Sequence, residues 1–374
     1  MDEKLDECRG LNKWEGLFPG VEGPREWDED FQKFLMKYGT FNHIVYDVFV
    51  NREKDKKGVR GSCRYDEDLD AFSREGLWFK YIRADGEEMS EYDFTGEYSI
   101  VANMVCSPRS FFTAEDNWFG FIALSSDATE LVIVFRGTQT THEWLEDATL
   151  FMEQLDGEEP EHGCALFFNR RDLMFHRGFH QLYIQEGVSG GESPKATVRR
   201  VVEEHKETLT NITVIGHSLG GAMCQLCAFD LVHFGITGDI PVTALAWGSP
   251  KIANGVAAKR AEELHPKLRI LRIREVHDFV CKVPPDWLFS LTQGGYRHMG
   301  QELKLSNSFL KNDGLVRNDE AGANHNLEMY LHMINPERDP ALMNKVGNVL
   351  PDKFLKHTKV NPNWHNQSWP RTIF

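Results

Sequence analysis

The sequence Gly-His-Ser-Leu-Gly at residues 216–220 constrains the fold of this chain more than any other segment. An apolar run at residues 212–215 precedes it, and an apolar stretch at residues 222–234 follows it. Gly-x-Ser-x-Gly between a strand and a helix is typical of a nucleophile elbow, in which glycines relieve a sharp turn and the serine hydroxyl is exposed at the helix N-terminus. The bare motif also occurs in ordinary turns. Ser218 is therefore a candidate nucleophile whose assignment depends on its partners.

The composition narrows the class of protein. At 374 residues, 41% of them hydrophobic, the chain can build one large α/β core. Its formal net charge of −15 disfavours a nucleic-acid partner, because the phosphates would be repelled, and also disfavours electrostatic docking on anionic lipid. Any contact with a membrane is expected to come from apolar surface.

Cysteine usage and the first residues predict the compartment. Seven cysteines at scattered spacings in a long chain argue against a disulfide scaffold and favour a reducing environment. Residues 1–10 are acidic and have no apolar core, so they resemble neither a secretory signal nor a transit peptide. No apolar run approaches the length of a membrane span, so no transmembrane segment is expected. We expect a cytoplasmic protein that associates with membranes, if at all, peripherally.

Hydrophobic periodicity predicts an α/β architecture. Continuous apolar runs at residues 131–135, 212–215 and 242–246 are typical of strands buried on both faces, and helical patterns separate them. One such helix begins at Ser193-Pro194, an N-cap followed by proline at the first helical position. The alternation predicts a mainly parallel central sheet flanked by helices, with an N-terminal helical extension.

Three regions are predicted along the chain. Residues 1–98 are expected to form an extension that packs on the core, with one or two amphipathic helices between residues 28 and 50 and a solvated connection at residues 51–70. Residues 99–335 are expected to form the α/β domain. Residues 336–374 form a C-terminal tail to which the sequence assigns no role.

A serine hydroxyl needs a histidine to accept its proton and a carboxylate to orient that histidine. In α/β-hydrolase order both lie downstream, with the acid first, in a loop after a later strand. Residues 268–274 are typical of that strand, and Asp278 follows it, which makes Asp278 the favoured acid. Asp286, after two prolines, is the alternative, although it can also initiate a turn. Asp278 itself can instead cap a backbone amide.

Position selects the histidine. His233 lies on the helix after the elbow, His298 in an alternating run typical of a strand, and His332 inside the helix predicted at residues 326–334. His325 stands in the loop just before that helix, so it can approach Ser218. His217, beside the serine, is expected to be a packing residue of the elbow.

Acyl transfer also requires backbone donors for the oxyanion of the tetrahedral intermediate. The amide of Leu219, directly after the nucleophile, is one candidate. The other is Thr138, which follows Gly137 in the loop after the strand at residues 131–135. That loop can equally be an ordinary turn at the end of a strand.

Together these segments resemble the class 3 (fungal-type) lipase family, through residues 135–138, 216–221, 277–278 and 325–328. A narrower resemblance, to the plant-type phospholipase A1 branch, covers roughly residues 14–333 and includes residues 38–39, 61–65, 176–179, 296–300 and 325–332. The resemblance implies an α/β-hydrolase fold with Ser218, Asp278 and His325 as triad and Thr138 with Leu219 as oxyanion hole. It also implies ester hydrolysis without a metal or cofactor.

The family resemblance implies a lid at residues 139–155, where apolar side chains recur at helical spacing, although such a stripe also fits plain core packing. The expected function is release of the sn-1 acyl chain of a phospholipid through an acyl-enzyme. The alternatives are a broader triacylglycerol or galactolipid lipase, a carboxylesterase or peptidase, and a non-catalytic lipase-like signalling module. The expected partner is a phospholipid or other glycerolipid at a membrane or lipid interface.

Overall fold

The computed structural model describes residues 29–47, 49–50, 59–60, 62–63, 81–82, 88–89, 97–107, 116–137, 152–154, 172–188, 190–288, 294–305 and 324–334. Six helices are described: α1 (Glu29–Asp47), α2 (Arg177–Ile184), α3 (Pro194–His205), α4 (Leu219–His233), α5 (Gly255–Glu263) and α6 (Leu327–Ile334). A single 3₁₀ turn is described at Val280–Lys282.

The main sheet has eight strands: β2 (Val59–Arg60), β6 (Tyr98–Cys106), β7 (Asp116–Ser125), β8 (Glu130–Phe135), β11 (Asn211–His217), β12 (Val242–Trp247), β14 (Leu268–Glu275) and β16 (Gln301–Leu305). Their order is β16-β14-β12-β11-β8-β7-β2, and β6 also pairs with β7. The five strands from β16 to β8 are mutually parallel. β7 is antiparallel to both β8 and β6. The predicted mainly parallel sheet is confirmed.

Helices cover both faces of this sheet because its central strands are apolar on both faces. Every residue of β8, β11 and β12 is buried. In β8, Val132 and Val134 pack in one hydrophobic cluster with α1 and α6, while Leu131, Ile133 and Phe135 pack in a second cluster with α2, α3, α4 and α5. This alternation is the two-residue period of a strand, and it gives the three-layer arrangement of an α/β-hydrolase fold.

The remaining strands are short: β1 (Phe49–Val50), β3 (Ser62–Cys63), β4 (Tyr81–Ile82), β5 (Glu88–Met89), β9 (Met152–Gln154), β10 (Met174–His176), β13 (Ala253–Asn254) and β15 (Tyr296–Arg297). β1 pairs with β3 and β4 with β5, while β15, β13, β10 and β9 form a four-stranded sheet. β10 leads directly into α2, and β13 leads into α5.

The N-terminal prediction is partly corrected. The predicted amphipathic segment is one helix, α1, which ends at Asp47 and is followed by β1. A solvated connection was predicted at residues 51–70, but two pairs of residues there form strands. Strand β2 joins the main sheet, and β3 pairs with β1, so the prediction is wrong for these four residues. Short strands of two residues carry too little periodicity to be read from sequence. The boundary between extension and core at residue 98 stays a prediction.

Helix α3 begins as predicted, since Ser193 is its N-cap and its hydroxyl accepts the amide of Ala196 at 3.2 Å, with Pro194 next. Among the helices of the described residues, none is long and apolar enough to cross a bilayer.

Candidate active site

The turn between β11 and α4 holds Ser218 in a strained conformation. Its φ of 60° and ψ of −124° lie outside the regions that side chains other than glycine ordinarily adopt. The chain passes so tightly here that a Cβ atom on Gly216 would lie 2.0 Å from the carbonyl oxygen of Gly220, and one on Gly220 would lie 2.2 Å from that of Phe135. Only glycine fits both positions, which is why this pentapeptide turns where it does.

Three distant chain segments meet at this turn. The Oγ of Ser218 lies 2.8 Å from Nε2 of His325, and Nδ1 of His325 lies 2.7 Å from Oδ2 of Asp278. Asp278 follows the end of β14, and His325 precedes α6. All three side chains are buried.

The hydrogen bonds define where the protons lie. A carboxylate only accepts, so Nδ1 of His325 carries the proton that it donates to Asp278. In the neutral ring Nε2 is then an acceptor, and the Ser218 hydroxyl donates to it. This arrangement can remove the proton of Ser218 as its oxygen attacks an electrophilic carbon.

The surroundings of Asp278 keep it ionised. Burial alone would raise the pKa of this carboxyl, but the charge of His325 and hydrogen bonds from His325, Tyr330 and the Val280 amide outweigh it, so the pKa lies below its ordinary value. The Tyr330 hydroxyl donates to Oδ2 at 2.5 Å, and the Val280 amide donates to Oδ1 at 2.8 Å. Sequence reasoning did not find Tyr330, because a tyrosine inside an apolar helix gives no signal of a polar contact.

The alternatives Asp286 and His298, and His277 beside Asp278, make other contacts. Asp286 is 65% exposed at its side chain and pairs with Lys251 at 2.9 Å. His277 pairs with Glu275 at 2.9 Å, and Nε2 of His298 donates to the carbonyl of Cys281 at 2.9 Å. The three favoured residues are therefore the ones that meet.

His217 does more than fill space beside the elbow. Its Nε2 lies 2.8 Å from the carbonyl oxygen of His325, and its Nδ1 lies 3.0 Å from the hydroxyl of Tyr46 on α1. The centroids of the two histidine rings are 4.7 Å apart. The expectation of a packing residue is thus incomplete.

The residues predicted to form the oxyanion hole are described in part. Leu219 is the first residue of α4 and is buried, so its amide is among the N-terminal N–H groups of that helix. A Cβ atom on Gly137 would lie 2.8 Å from the carbonyl oxygen of His217, which brings the end of β8 against the elbow. Thr138 lies outside the described residues. Of the predicted lid at residues 139–155, only β9 is described.

The chain is similar to known lipases and phospholipases in sequence, and to a lipase in structure. The family model "Lipase (class 3)" matches residues 132–287. The chain is 27% identical over 398 residues to phospholipase A1-II 4 of Oryza sativa subsp. japonica, covering 98% of this chain and 91% of that protein. It is 27% identical over 366 residues to the galactolipase DONGLE, chloroplastic, of Arabidopsis thaliana, covering 89% of this chain and 70% of that protein. The structure of the nonglycosylated LIP2 lipase of Yarrowia lipolytica aligns with a TM-score of 0.47 at 18% identity, over 75% of this chain and 81% of that one.

The parallel sheet, the strained serine and the family match define the class: this is an α/β-hydrolase, and a carboxylic ester hydrolase. The resemblance drawn from the sequence is confirmed: the class 3 lipase model matches residues 132–287, and relatives over nearly the whole chain are named as plant phospholipases A1. The lipase match implies a lipid substrate.

Proposed function

We propose that this protein is a phospholipase A1, which hydrolyses the sn-1 acyl ester of glycerophospholipids. The observation that carries the proposal is the continuous hydrogen-bond chain from Ser218 through His325 to Asp278 at a strained elbow. Its similarity to phospholipase A1-II 4 over nearly the whole chain supports the choice of substrate.

The first half-reaction transfers the acyl chain to the enzyme. His325 accepts the Ser218 proton at Nε2 while Oγ forms a bond to the ester carbonyl carbon. The tetrahedral intermediate then collapses, the bond to the glycerol oxygen breaks, and that oxygen takes the proton from Nε2. A lysophospholipid leaves and the fatty acyl group stays on Ser218. Asp278 stabilises the imidazolium that exists between these two proton transfers.

The second half-reaction frees the enzyme. A water molecule gives a proton to Nε2 of His325 as its oxygen attacks the acyl carbon. Collapse of the second tetrahedral intermediate returns the proton to Oγ of Ser218 and releases the fatty acid. In both intermediates the negative oxygen would be held by the amides of Leu219 and Thr138. The position of Leu219 at the start of α4 supports its part of this assignment.

Contact with a lipid surface is proposed to be apolar. Phe279 is 55% exposed and Trp287 is 73% exposed, and both belong to the loop after β14 that carries Asp278. Most other aromatic side chains among the described residues are buried, so these two large exposed rings favour insertion at an interface. The net charge of −15 opposes electrostatic attraction to anionic lipid, so the apolar side chains are left to make this contact.

The protein is proposed to be located in the cytoplasm and to contact membranes peripherally. The relative from Arabidopsis thaliana is named as chloroplastic, so the chloroplast is the alternative. Imaging of the full chain fused at its C-terminus to a fluorescent protein separates the two. Fluorescence confined to chloroplasts would overturn the cytoplasmic assignment.

The experiment that tests the activity uses phosphatidylcholine vesicles with different acyl chains at the two positions. With 1-palmitoyl-2-oleoyl lipid, we expect palmitic acid and an oleoyl lysophospholipid by mass spectrometry. With the reversed isomer we expect oleic acid, which separates positional choice from chain preference. Ser218→Ala is the control and should release neither acid.

A second candidate function rests on the name of one relative, a galactolipase. The same assay with monogalactosyldiacylglycerol and with triacylglycerol emulsion distinguishes it. Faster turnover of galactolipid than of phospholipid would favour a galactolipase, and turnover of a water-soluble ester alone would favour a carboxylesterase. Absence of Ser218-dependent hydrolysis of every ester would favour a non-catalytic module.

A further inference from the structure

A second hydrogen-bond chain reaches the backbone of His325 from the N-terminal helix. The Tyr46 hydroxyl, near the end of α1, lies 3.0 Å from Nδ1 of His217. Nε2 of the same ring lies 2.8 Å from the carbonyl oxygen of His325. Neither Tyr46 nor His217 takes part in the proton transfers between Ser218, His325 and the substrate.

The direction of each bond follows from the chemistry of its partners. A carbonyl oxygen only accepts, so Nε2 of His217 carries a proton and donates it to His325. In the neutral ring Nδ1 is then an acceptor, so Tyr46 is the donor. Burial raises the pKa of Tyr46, against the opposing effects of Arg136 and the Gly137 backbone, so its hydroxyl keeps this proton.

His217 is held in its neutral form. Burial, followed by the charge that His325 acquires, lowers the pKa of His217 to about 3. A neutral ring matters because the centroids of the two histidines are 4.7 Å apart. A second positive charge at that distance would oppose protonation of His325 during the reaction.

The same tyrosine also touches the opposite wall of the site. Its hydroxyl lies against the backbone of Gly137, where a Cβ atom would lie 2.1 Å from that oxygen. Gly137 directly precedes Thr138, the proposed second oxyanion donor. Tyr46 therefore connects the end of β8 with the loop that carries His325.

We propose that His217 and Tyr46 are positioning residues, which fix the backbone of His325 so that its imidazole stays aligned between Ser218 and Asp278. This inference rests on the proposed function. Helix α1 lies outside the predicted α/β domain, and through Tyr46 it would help to position the catalytic histidine. The cost of misalignment is steep, because displacement of a catalytic group by about 1 Å can lower a rate by about 100-fold.

The test compares variants that keep or remove one donor. His217→Leu removes the donor to His325, whereas His217→Gln retains an amide N–H in its place. We measure kcat and KM with p-nitrophenyl butyrate, a water-soluble ester, and normalise kcat to the active sites titrated with a fluorophosphonate. This normalisation removes any loss that arises only from unfolded protein.

We expect His217→Leu to lower kcat per titrated site by about 10- to 100-fold with little change in KM, and His217→Gln to restore it to within about threefold of wild type. Tyr46→Phe should lower kcat by about three- to tenfold, since one neutral hydrogen bond is lost. Tyr38→Phe is the matched control on the same helix. The Tyr38 hydroxyl donates to Glu130 at 2.6 Å and does not belong to the chain from Tyr46 through His217 to His325. Tyr38→Phe should therefore reduce stability and leave kcat per site unchanged.

Two results would overturn the inference. One is a kcat per titrated site for both His217→Leu and Tyr46→Phe that equals that of wild type. The other is a His217→Gln variant as slow as His217→Leu, because restoring an N–H donor to the carbonyl oxygen of His325 would then have no effect on the rate. If His217→Leu does not fold, the kcat per titrated site of Tyr46→Phe is compared with that of Tyr38→Phe. Equal values for these two variants would then overturn the inference. Failure of the proposed function is separate, since it would appear as full ester hydrolysis by Ser218→Ala.

Discussion

Asp278→Asn is the most informative single change at the site. Asp278 accepts four hydrogen bonds, from His325, Tyr330, the Val280 amide and the Cys281 thiol. An asparagine must place its NH₂ group at one of the two oxygen positions. At Oδ1 it would face the Val280 donor, and at Oδ2 it would donate to Nδ1 of His325 and impose the wrong tautomer. Neither orientation leaves His325 both correctly protonated and fully supported.

The size of the expected loss of kcat follows from the burial of Asp278 and His325. The side chain of Asp278 is 0% exposed and that of His325 is 9% exposed, so water does not replace the lost negative charge once His325 becomes an imidazolium. Removing one partner of a buried ion pair costs about 3–5 kcal/mol. At about 1.36 kcal/mol for each tenfold change in rate, kcat should fall by about 10²- to 10⁴-fold.

The assay is hydrolysis of p-nitrophenyl butyrate at pH 8, with kcat normalised to folded protein measured by circular dichroism. Asp286→Asn is the matched control, because Asp286 was the alternative acid and is 65% exposed. It should retain kcat to within about twofold. A kcat for Asp278→Asn within about tenfold of wild type would refute the assignment of Asp278 as the acid.

Three further predictions concern stability and the lipid surface. Glu130→Ala should lower the free energy of unfolding in urea by about 3–5 kcal/mol, because the buried hydroxyls of Tyr38, Tyr98 and Thr213 all donate to this carboxylate; a loss under about 1 kcal/mol would contradict this. Burial lowers the pKa of His176 to about 4. The unfolded chain therefore binds the extra proton between pH 6.5 and 4, and stability should fall on acidification by about 1.4 kcal/mol per pH unit for this group. His176→Asn, which keeps an acceptor for the Gly178 amide, should make the pH dependence shallower by that amount, and an unchanged slope would count against it. Trp287→Ala should reduce binding to phosphatidylcholine vesicles by about tenfold while hydrolysis of p-nitrophenyl butyrate is kept, and equal binding would remove Trp287 from the lipid contact.

Much of the parallel sheet could be predicted because its strands are buried on both faces. Such strands appear in the sequence as uninterrupted apolar runs, and β8, β11 and β12 were found in this way within two residues at each end. The candidate triad could be predicted for a related reason. Catalytic side chains follow the carboxyl ends of parallel strands, so Asp278 could be placed from the end of β14.

The contacts that the sequence did not indicate join residues far apart in the chain. Tyr46, Tyr330 and His217 touch the site from α1, α6 and the elbow itself. Each stands in an apolar pattern that predicts only burial, and the partner of each hydroxyl or ring nitrogen depends on how two helices pack on the sheet. The two-residue strands β2 and β3 were missed for a different reason, since tertiary pairing selects them rather than local propensity.

Covalent labelling shows whether Ser218 is the residue that forms the acyl-enzyme. The full chain is treated with a fluorophosphonate, digested, and the modified peptide is sequenced by mass spectrometry, with hydrolysis of phosphatidylcholine vesicles followed in parallel. We expect one modified residue, Ser218, with loss of fatty-acid release in proportion to labelling, and neither label nor turnover in Ser218→Ala. A label on another residue, or vesicle hydrolysis that persists in Ser218→Ala, would show that Ser218 is not the nucleophile.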